Sequence, residues 1–361
     1  MRARILLLIL CSLAAMAELR AQEASSGFQL GATFSGEALY SPQLSAAPRD
    51  GNQVTGAFRA VLYPTWKLSR NWSVTGAIEA YSQPYFFEDF SKPETDVEVE
   101  VLQANISYSR FWENRSLVVR AGQLSSAFGS FLLRYDDAVN PLVDMPASYG
   151  YYFHGVTTAS LAGAEVDATL GKTDLRAQFT NSSPANPRSV LDTDQYFNWT
   201  AGAGYTIRQG FRVGASAYRG PYLYRQSPFY LPGESDPEYL PATGLGIDAQ
   251  WGHGPWNVNA EWQRFLMVYR AMPDFLETTG YGELRRVLTP RWYLATRIGY
   301  VSNTYAGWRW YETAVGFRPG RHELVKIDYE VEQGANIRGA QQNKLAIQFV
   351  TNLGLLSFAG H

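Results

Sequence analysis

Apolar and polar residues alternate with period two along most of the chain. In LVKIDYEVEQ (324–333), Val325, Ile327, Tyr329 and Val331 share one parity, and Lys326, Asp328, Glu330 and Glu332 share the other. In PRWYLATRIGYV (290–301), Trp292, Leu294, Ile298 and Tyr300 lie opposite Tyr293, Ala295, Arg297 and Gly299. The same rhythm sets Glu165 and Asp167 against Ala164, Val166 and Ala168. It also sets Arg176 and Gln178 against Leu175, Ala177 and Phe179, and Glu98 and Glu100 against valines. Alternation sustained over a strand's length predicts β-structure. It recurs from Ser26 almost to the C-terminus, so the expected class is all-β.

The connectors between these segments alternate in length. Short ones fall at 68–71, 113–116, 171–174, 208–210, 252–255, 288–291 and 318–322. Longer ones fall near 41–52, 86–96, 125–153, 181–193, 221–241, 271–276, 302–307 and 333–342. Seven short and eight long connectors join about 16 strands and put both termini on the short-turn side. An even number of antiparallel strands, tight turns at one end and long loops at the other, is the layout of a transmembrane β-barrel. A bilayer explains closure, because an open sheet edge in hydrocarbon leaves backbone groups unpaired. It also inverts the alternation, turning the apolar face outward to lipid and the polar face inward. Trp292, Leu294, Ile298 and Tyr300 are then expected to face lipid, and Arg297 to face water in the lumen. Four charges on one face of 324–333 are costly in a packed core, and a wet lumen removes that cost.

Composition supports this picture. Aromatics reach 14% while charged residues are 18%. Many aromatics flank connectors, among them Trp66, Trp72, Trp112, Trp251, Trp256, Trp292, Trp308 and Trp310, as interfacial girdles require. After the N-terminus no apolar run is long enough for a spanning helix.

The first residues read as a secretory signal peptide, with basic Met1–Arg4, an apolar Ile5–Leu13 and small residues before a cleavage point. Cleavage is expected after residue 21, or alternatively after 17, leaving 22–361 as one barrel exported to the cell outer membrane. The only cysteine, Cys11, leaves with that peptide. Its removal takes three arginines and one glutamate from 31 basic and 33 acidic residues, leaving 28 against 32. That slightly acidic balance, without a basic cluster, gives no footprint for nucleic acid.

One connector, SSAFGSFLLRYDDAVNPLVDMPASYGYYF (125–153), is far longer than its neighbours, and a loop of this length in a compact structure is usually functional. With the strand before it, it reads VVRAGQLSSAFGSF (118–131). This passage resembles the outer-membrane porin family, in particular the phosphate-selective porin O/P-like group, through Arg120, Gly122, Phe128 and Gly129. The resemblance implies a passive channel, commonly a homotrimer, whose third loop folds into the lumen as a constriction. One departure is plain. The chain has five lysines, and its inward faces mix acids with bases instead of being rich in lysine and arginine.

The candidate pore-lining or constriction residues are Arg120, Arg134, Asp136, Asp137, Asp144, Glu165, Asp167, Arg176, Arg285, Arg297, Lys326, Asp328 and Glu330. Arg59, Glu79, Arg212, Asp248, Glu261, Glu283 and Glu312 share the inward parity. Rings of charge in a narrow wet constriction set which ions pass. Asp136, Asp137 and Asp144 on the loop are expected to face Arg120 and Arg176 on the wall, creating a transverse field. The expected partners are outer-membrane lipid and small polar solutes or ions, with no cofactor. The rival classes are a barrel-embedded hydrolase and a plugged structural or adhesive barrel. A hydrolase needs a nucleophile and base in register, and only His154 of the four histidines borders a long loop. No G-x-S-x-G elbow occurs, and no histidine pair is spaced to hold a metal.

Overall fold

The computed structural model describes residues 26–41, 54–82, 85, 97–130, 136–149, 161–181, 197–221, 240–269, 273–304, 307–335 and 342–359. The strands are β1 Gly27–Tyr40, β2 Val54–Lys67, β3 Trp72–Ser82, β4 Val97–Trp112, β5 Arg115–Leu124, β6 Leu161–Leu170, β7 Thr173–Thr180 and β8 Asn198–Arg208. They continue with β9 Phe211–Pro221, β10 Pro241–His253, β11 Trp256–Met267, β12 Phe275–Val287, β13 Trp292–Asn303, β14 Gly307–Phe317, β15 Glu323–Ala335 and β16 Gln342–Ala359. Each strand pairs antiparallel with its sequence neighbours, and β16 pairs with β1 to close the barrel. The strand count and the alternation of connector lengths are those expected from the sequence.

The inversion is visible side chain by side chain. Along β13, Trp292, Leu294 and Ile298 are exposed, while Tyr293, Ala295, Arg297, Gly299 and Val301 are buried. The exposed outer face carries Leu245, Ile247, Ile327 and Phe349, a surface that only an apolar solvent covers favourably. At the turn end, Trp292 stacks on Phe317 with ring centroids 4.4 Å apart, and Trp72 meets Tyr108 edge-on at 5.2 Å. Such aromatic pairs suit the border between hydrocarbon and water.

Two local irregularities bear on the face assignments. Ala77 pairs with Gln103 and Ile78 with Val101, so Leu102 is an extra residue in β4. The side chains before and after it therefore take opposite parities, the behaviour of a β-bulge. At Arg264 the ladder is regular, pairing with Thr278 and Leu245. The closing strand also differs from expectation. Its alternation suggests an end near Thr351 with a short tail, but β16 runs on to Ala359. A register shift opposite Leu30 and Gly31 lets it continue, and Phe358 stacks on Phe28. Alternation stops being readable there because the shift changes which residues face out.

Gly122 shows how the resemblance motif acts locally. Its φ is +130°, and a Cβ there would lie 2.3 Å from the Ala104 carbonyl oxygen on the paired strand. Gly122→Ala is expected to cost about 1–3 kcal/mol from backbone strain alone. It should show as a lower folded fraction in heat-dependent gel mobility, while Ala121→Gly, on the outward face, should have little effect.

Candidate functional site

The third loop lies inside the barrel, and the motif residues send it there. Phe128 is fully buried among Tyr218, Leu240, Ala242, Phe265 and Met267. Gly129 follows with a φ of +73°, where an added Cβ would lie 2.0 Å from the Tyr149 hydroxyl and 2.3 Å from Glu261 Oε1. Only a residue without a side chain passes between these groups. Ser130 N donates to Glu261 Oε1 at 3.2 Å, and the Tyr149 hydroxyl donates to the same atom at 2.5 Å. The loop is thus anchored to β11 at both ends of the described stretch. A single 3-10 turn, Ala147–Tyr149, completes it.

Between those anchors, 136–149 crosses to the opposite wall. Asp137 accepts from Ser35 on β1 at 2.6 Å, from Arg59 Nη1 on β2 at 3.1 Å and from the Tyr85 hydroxyl at 2.9 Å. Arg59 Nε also donates to Glu79 on β3. Burial and the adjacent Asp137 carboxylate push the Tyr85 hydroxyl well above the usual phenol range, so it remains a donor. Asp136 accepts from the Tyr63 hydroxyl. The Val143 amide donates to Asp328 at 2.7 Å, and the Lys326 ammonium donates to the Leu142 carbonyl at 3.0 Å. Arg297 is fully buried between Glu283 and Glu312, each at 2.9 Å, and also donates to the Asp144 carbonyl and to Asn140.

These contacts overturn several expectations. Asp136, Asp137 and Asp144 do not face Arg120 and Arg176. Asp136 and Asp137 bind the β1–β2 wall, and Asp144 sits beside Arg297 and Glu312. Arg297 does not face lumen water, and the inward charges of β15 are not solvated. Lys326, Asp328, Glu330 and Glu332 are all buried, with Lys344 bridging the two glutamates. The reason is the same in each case: the loop covers this half of the lumen, replacing water by backbone groups and opposed charges. Buried charges tolerate desolvation only where opposite charges and hydrogen bonds offset most of its cost. Arg134 lies outside the described residues, as do His154, Tyr151, Tyr152 and Phe153. Arg285 lies partly buried, its guanidinium 5.5 Å from the centroid of the Tyr293 ring.

The other half of the lumen is different. Arg120 on β5, Arg176 on β7 and Arg212 on β9 retain 32, 31 and 29% exposure, whereas Arg59 and Arg297 retain 1 and 0%. Arg120 contacts Glu165 at 2.6 Å and also Asp167, and Arg176 contacts Asp167 at 2.9 Å. Arg212 contacts Asp174 and Asp248, at 2.5 and 2.7 Å. Here acids and bases alternate across neighbouring strands, and the three arginines keep part of their surface in water together with Asp167 and Asp174. Interactions of this type are screened and individually weak, so these groups stay available to a passing ion. Arg212 stands on the inward parity, but parity alone does not single it out, since it cannot separate the covered wall from the open one. Tyr63 and Ser35 also have the right parity, and Tyr85 gives no sequence signal because it lies in a connector. Among the described residues no group of three or more His, Cys, Asp or Glu side chains is disposed to hold a metal.

No protein-family model matches the sequence, and no curated protein matches it either. Solved structures do. OprB of Pseudomonas putida is 11% identical, covering 91% of this chain and 94% of that chain with a TM-score of 0.64. An anion-selective porin from Comamonas acidovorans is 7% identical, with coverage of 91% and 100% and a TM-score of 0.63. OmpT lacking loop L8, an outer membrane protein of Vibrio cholerae, is 10% identical, with coverage of 91% and 100% and a TM-score of 0.62. At these identities the likeness is one of fold. The chain has the closed sixteen-stranded antiparallel barrel found in outer-membrane proteins.

Proposed function

We propose that the chain is an outer-membrane porin, a water-filled channel for passive diffusion of small polar solutes or ions. The observation that carries this reading is the division of the lumen. A folded-in loop is fastened to one wall, and partly hydrated Arg120, Arg176 and Arg212 stand with their acidic partners on the other. A path lined by both signs favours small polar solutes over apolar ones, and its charge balance sets ion preference. The structural neighbours include proteins described as a porin and as a channel, which accords with this reading. In the membrane the outer face meets lipid, and the functional unit is a homotrimer, a form in which Vibrio cholerae OmpT is described. Export proceeds by removal of residues 1–21 or 1–17. The resemblance to the phosphate-selective O/P-like group concerns how 118–131 launches the loop. The mixed lining argues for a less specialised solute range.

The test is single-channel recording of the mature chain in a planar bilayer under a KCl gradient. Discrete ohmic openings are expected, and a correctly folded but silent barrel would sink the proposal. Reversing a charge within ~8 Å of a passing ion changes that ion's energy by about 1 kcal/mol in water. K+ gains and Cl− loses that amount, so Arg120→Glu and Arg176→Glu are each expected to raise the K+ over Cl− permeability ratio, by up to roughly thirtyfold before screening by salt. Unchanged reversal potentials in both would remove these residues from the conducting path.

A further inference from the structure

The outer face of the barrel carries a feature that conduction does not use. The registers of β11 to β15 place Trp262, Gly280, Tyr300, Arg309 and Gln333 in one row, all pointing outward. The next row toward the turns holds Ala260, Gly282, Ile298, Tyr311 and Val331. The two glycines on β12 lack the side chains that would fill the surface between their neighbours. What results is a groove of about 940 Å³ along the barrel wall, floored by Gly280 and Gly282 and walled by Trp262, Ile298, Tyr300 and Tyr311. Around Gly282, a Cβ would meet nothing within 4 Å.

At the loop-side end of this apolar groove stands Arg309, exposed and forming no ion pair with the described residues. Its level can be estimated along β13. Eight residues separate Trp292, in the turn-side girdle, from Tyr300, which pairs with Arg309. At ~3.4 Å per residue and a strand tilt of about 40°, that is roughly 20 Å across the bilayer, close to the ~25 Å apolar band of such barrels. The Arg309 backbone therefore lies about 5 Å short of the far border, within reach of the headgroups for a long side chain that snorkels, and the groove descends from it into the acyl region. The rest of the outer surface is biased the same way. Arg219 and Arg264 also point outward near the loops, where the described outward strand positions include no acid; the outward acid Glu323 lies at the turn end of β15. Basic groups at this level recognise anionic headgroups.

We propose that this groove holds one anionic phospholipid of the surrounding membrane, its headgroup phosphate on Arg309 and an acyl chain over Gly280 and Gly282. The inference rests on the reading that the outer face is embedded in lipid; it does not require that the lumen conducts. Trp262 and Tyr300 clamp the upper chain from both sides, and their flat rings take the place of the missing glycine side chains as packing partners.

Native mass spectrometry of the refolded mature chain tests this, with phosphatidylglycerol and phosphatidylcholine of identical chains added stepwise to the detergent-solubilised protein. One phosphatidylglycerol per chain is expected to be retained, at least tenfold more tightly than phosphatidylcholine. Arg309→Gln should remove that preference. Gly282→Leu, which enters open space and leaves the inner face untouched, should reduce retention of both lipids tenfold or more. Both variants should keep the wild-type single-channel conductance, which separates this site from the lumen. Equal retention of the two lipids by the wild type, or wild-type retention by Gly282→Leu, would overturn the proposal. So would displacement of the lipid on oligomerisation, which would mean that a second copy fills the groove. Silent channels with the phosphatidylglycerol preference intact would overturn the porin reading and support the groove.

Discussion

Arg297→Ala is expected to destabilise the barrel by about 3–5 kcal/mol, the cost of leaving buried charges without their partner. Glu283 and Glu312 flank the guanidinium at 2.9 Å on either side, and all three side chains are almost wholly shielded from water. Removing the cation leaves two carboxylates facing each other in a low-dielectric site. The loop loses two bonds at the same stroke, from Arg297 to the Asp144 carbonyl and to Asn140. Denaturant titration of the refolded barrel, followed by gel mobility or tryptophan fluorescence, gives the stability change. Bilayer recording should show larger and noisier currents as the loop loosens. The triple variant Arg297→Met, Glu283→Gln, Glu312→Gln leaves no unpaired charge and should recover much of the stability. If Arg297→Ala unfolds within about 0.5 kcal/mol of the wild type, a typical surface effect, the buried network does not hold the loop.

Phe128→Ala is the second large effect, also about 3–5 kcal/mol, from lost transfer energy and the cavity left behind. Phe128 packs on Phe265 with ring centroids 5.3 Å apart and covers two inward glycines of β10. A Cβ at Gly244 or Gly246 would meet its ring at 3.2 and 3.1 Å. The β10 positions beneath the ring are glycines, so that wall offers no side chain to fill the space. The substitution also frees the point where the loop turns inward, so conductance should rise along with the loss of stability. Phe128→Leu keeps most of the contact and should cost less than half as much. Equal stability of the alanine and leucine variants would show that the ring merely caps the strand end.

The sequence by itself determined the barrel. Period-two alternation separates the two faces of every strand, connector length separates its two ends, and both signals are local. The part played by 118–131 is legible for the same reason, because Gly122, Phe128 and Gly129 meet local demands of backbone and packing. What only the tertiary structure decided is which inward residues meet water. Arg120 and Arg297 stand on equivalent faces of their strands, yet one is a third exposed and the other fully buried. The difference arises because 136–149 crosses to the β1–β2 and β12–β15 walls and displaces water there, leaving Arg120, Arg176 and Arg212 on β5, β7 and β9 partly in water. Those contacts join residues more than 150 positions apart, such as Asn140 to Arg297 and Val143 to Asp328. No periodicity along the chain can encode them, since they depend on closure of β16 against β1 bringing the last strands around to the loop.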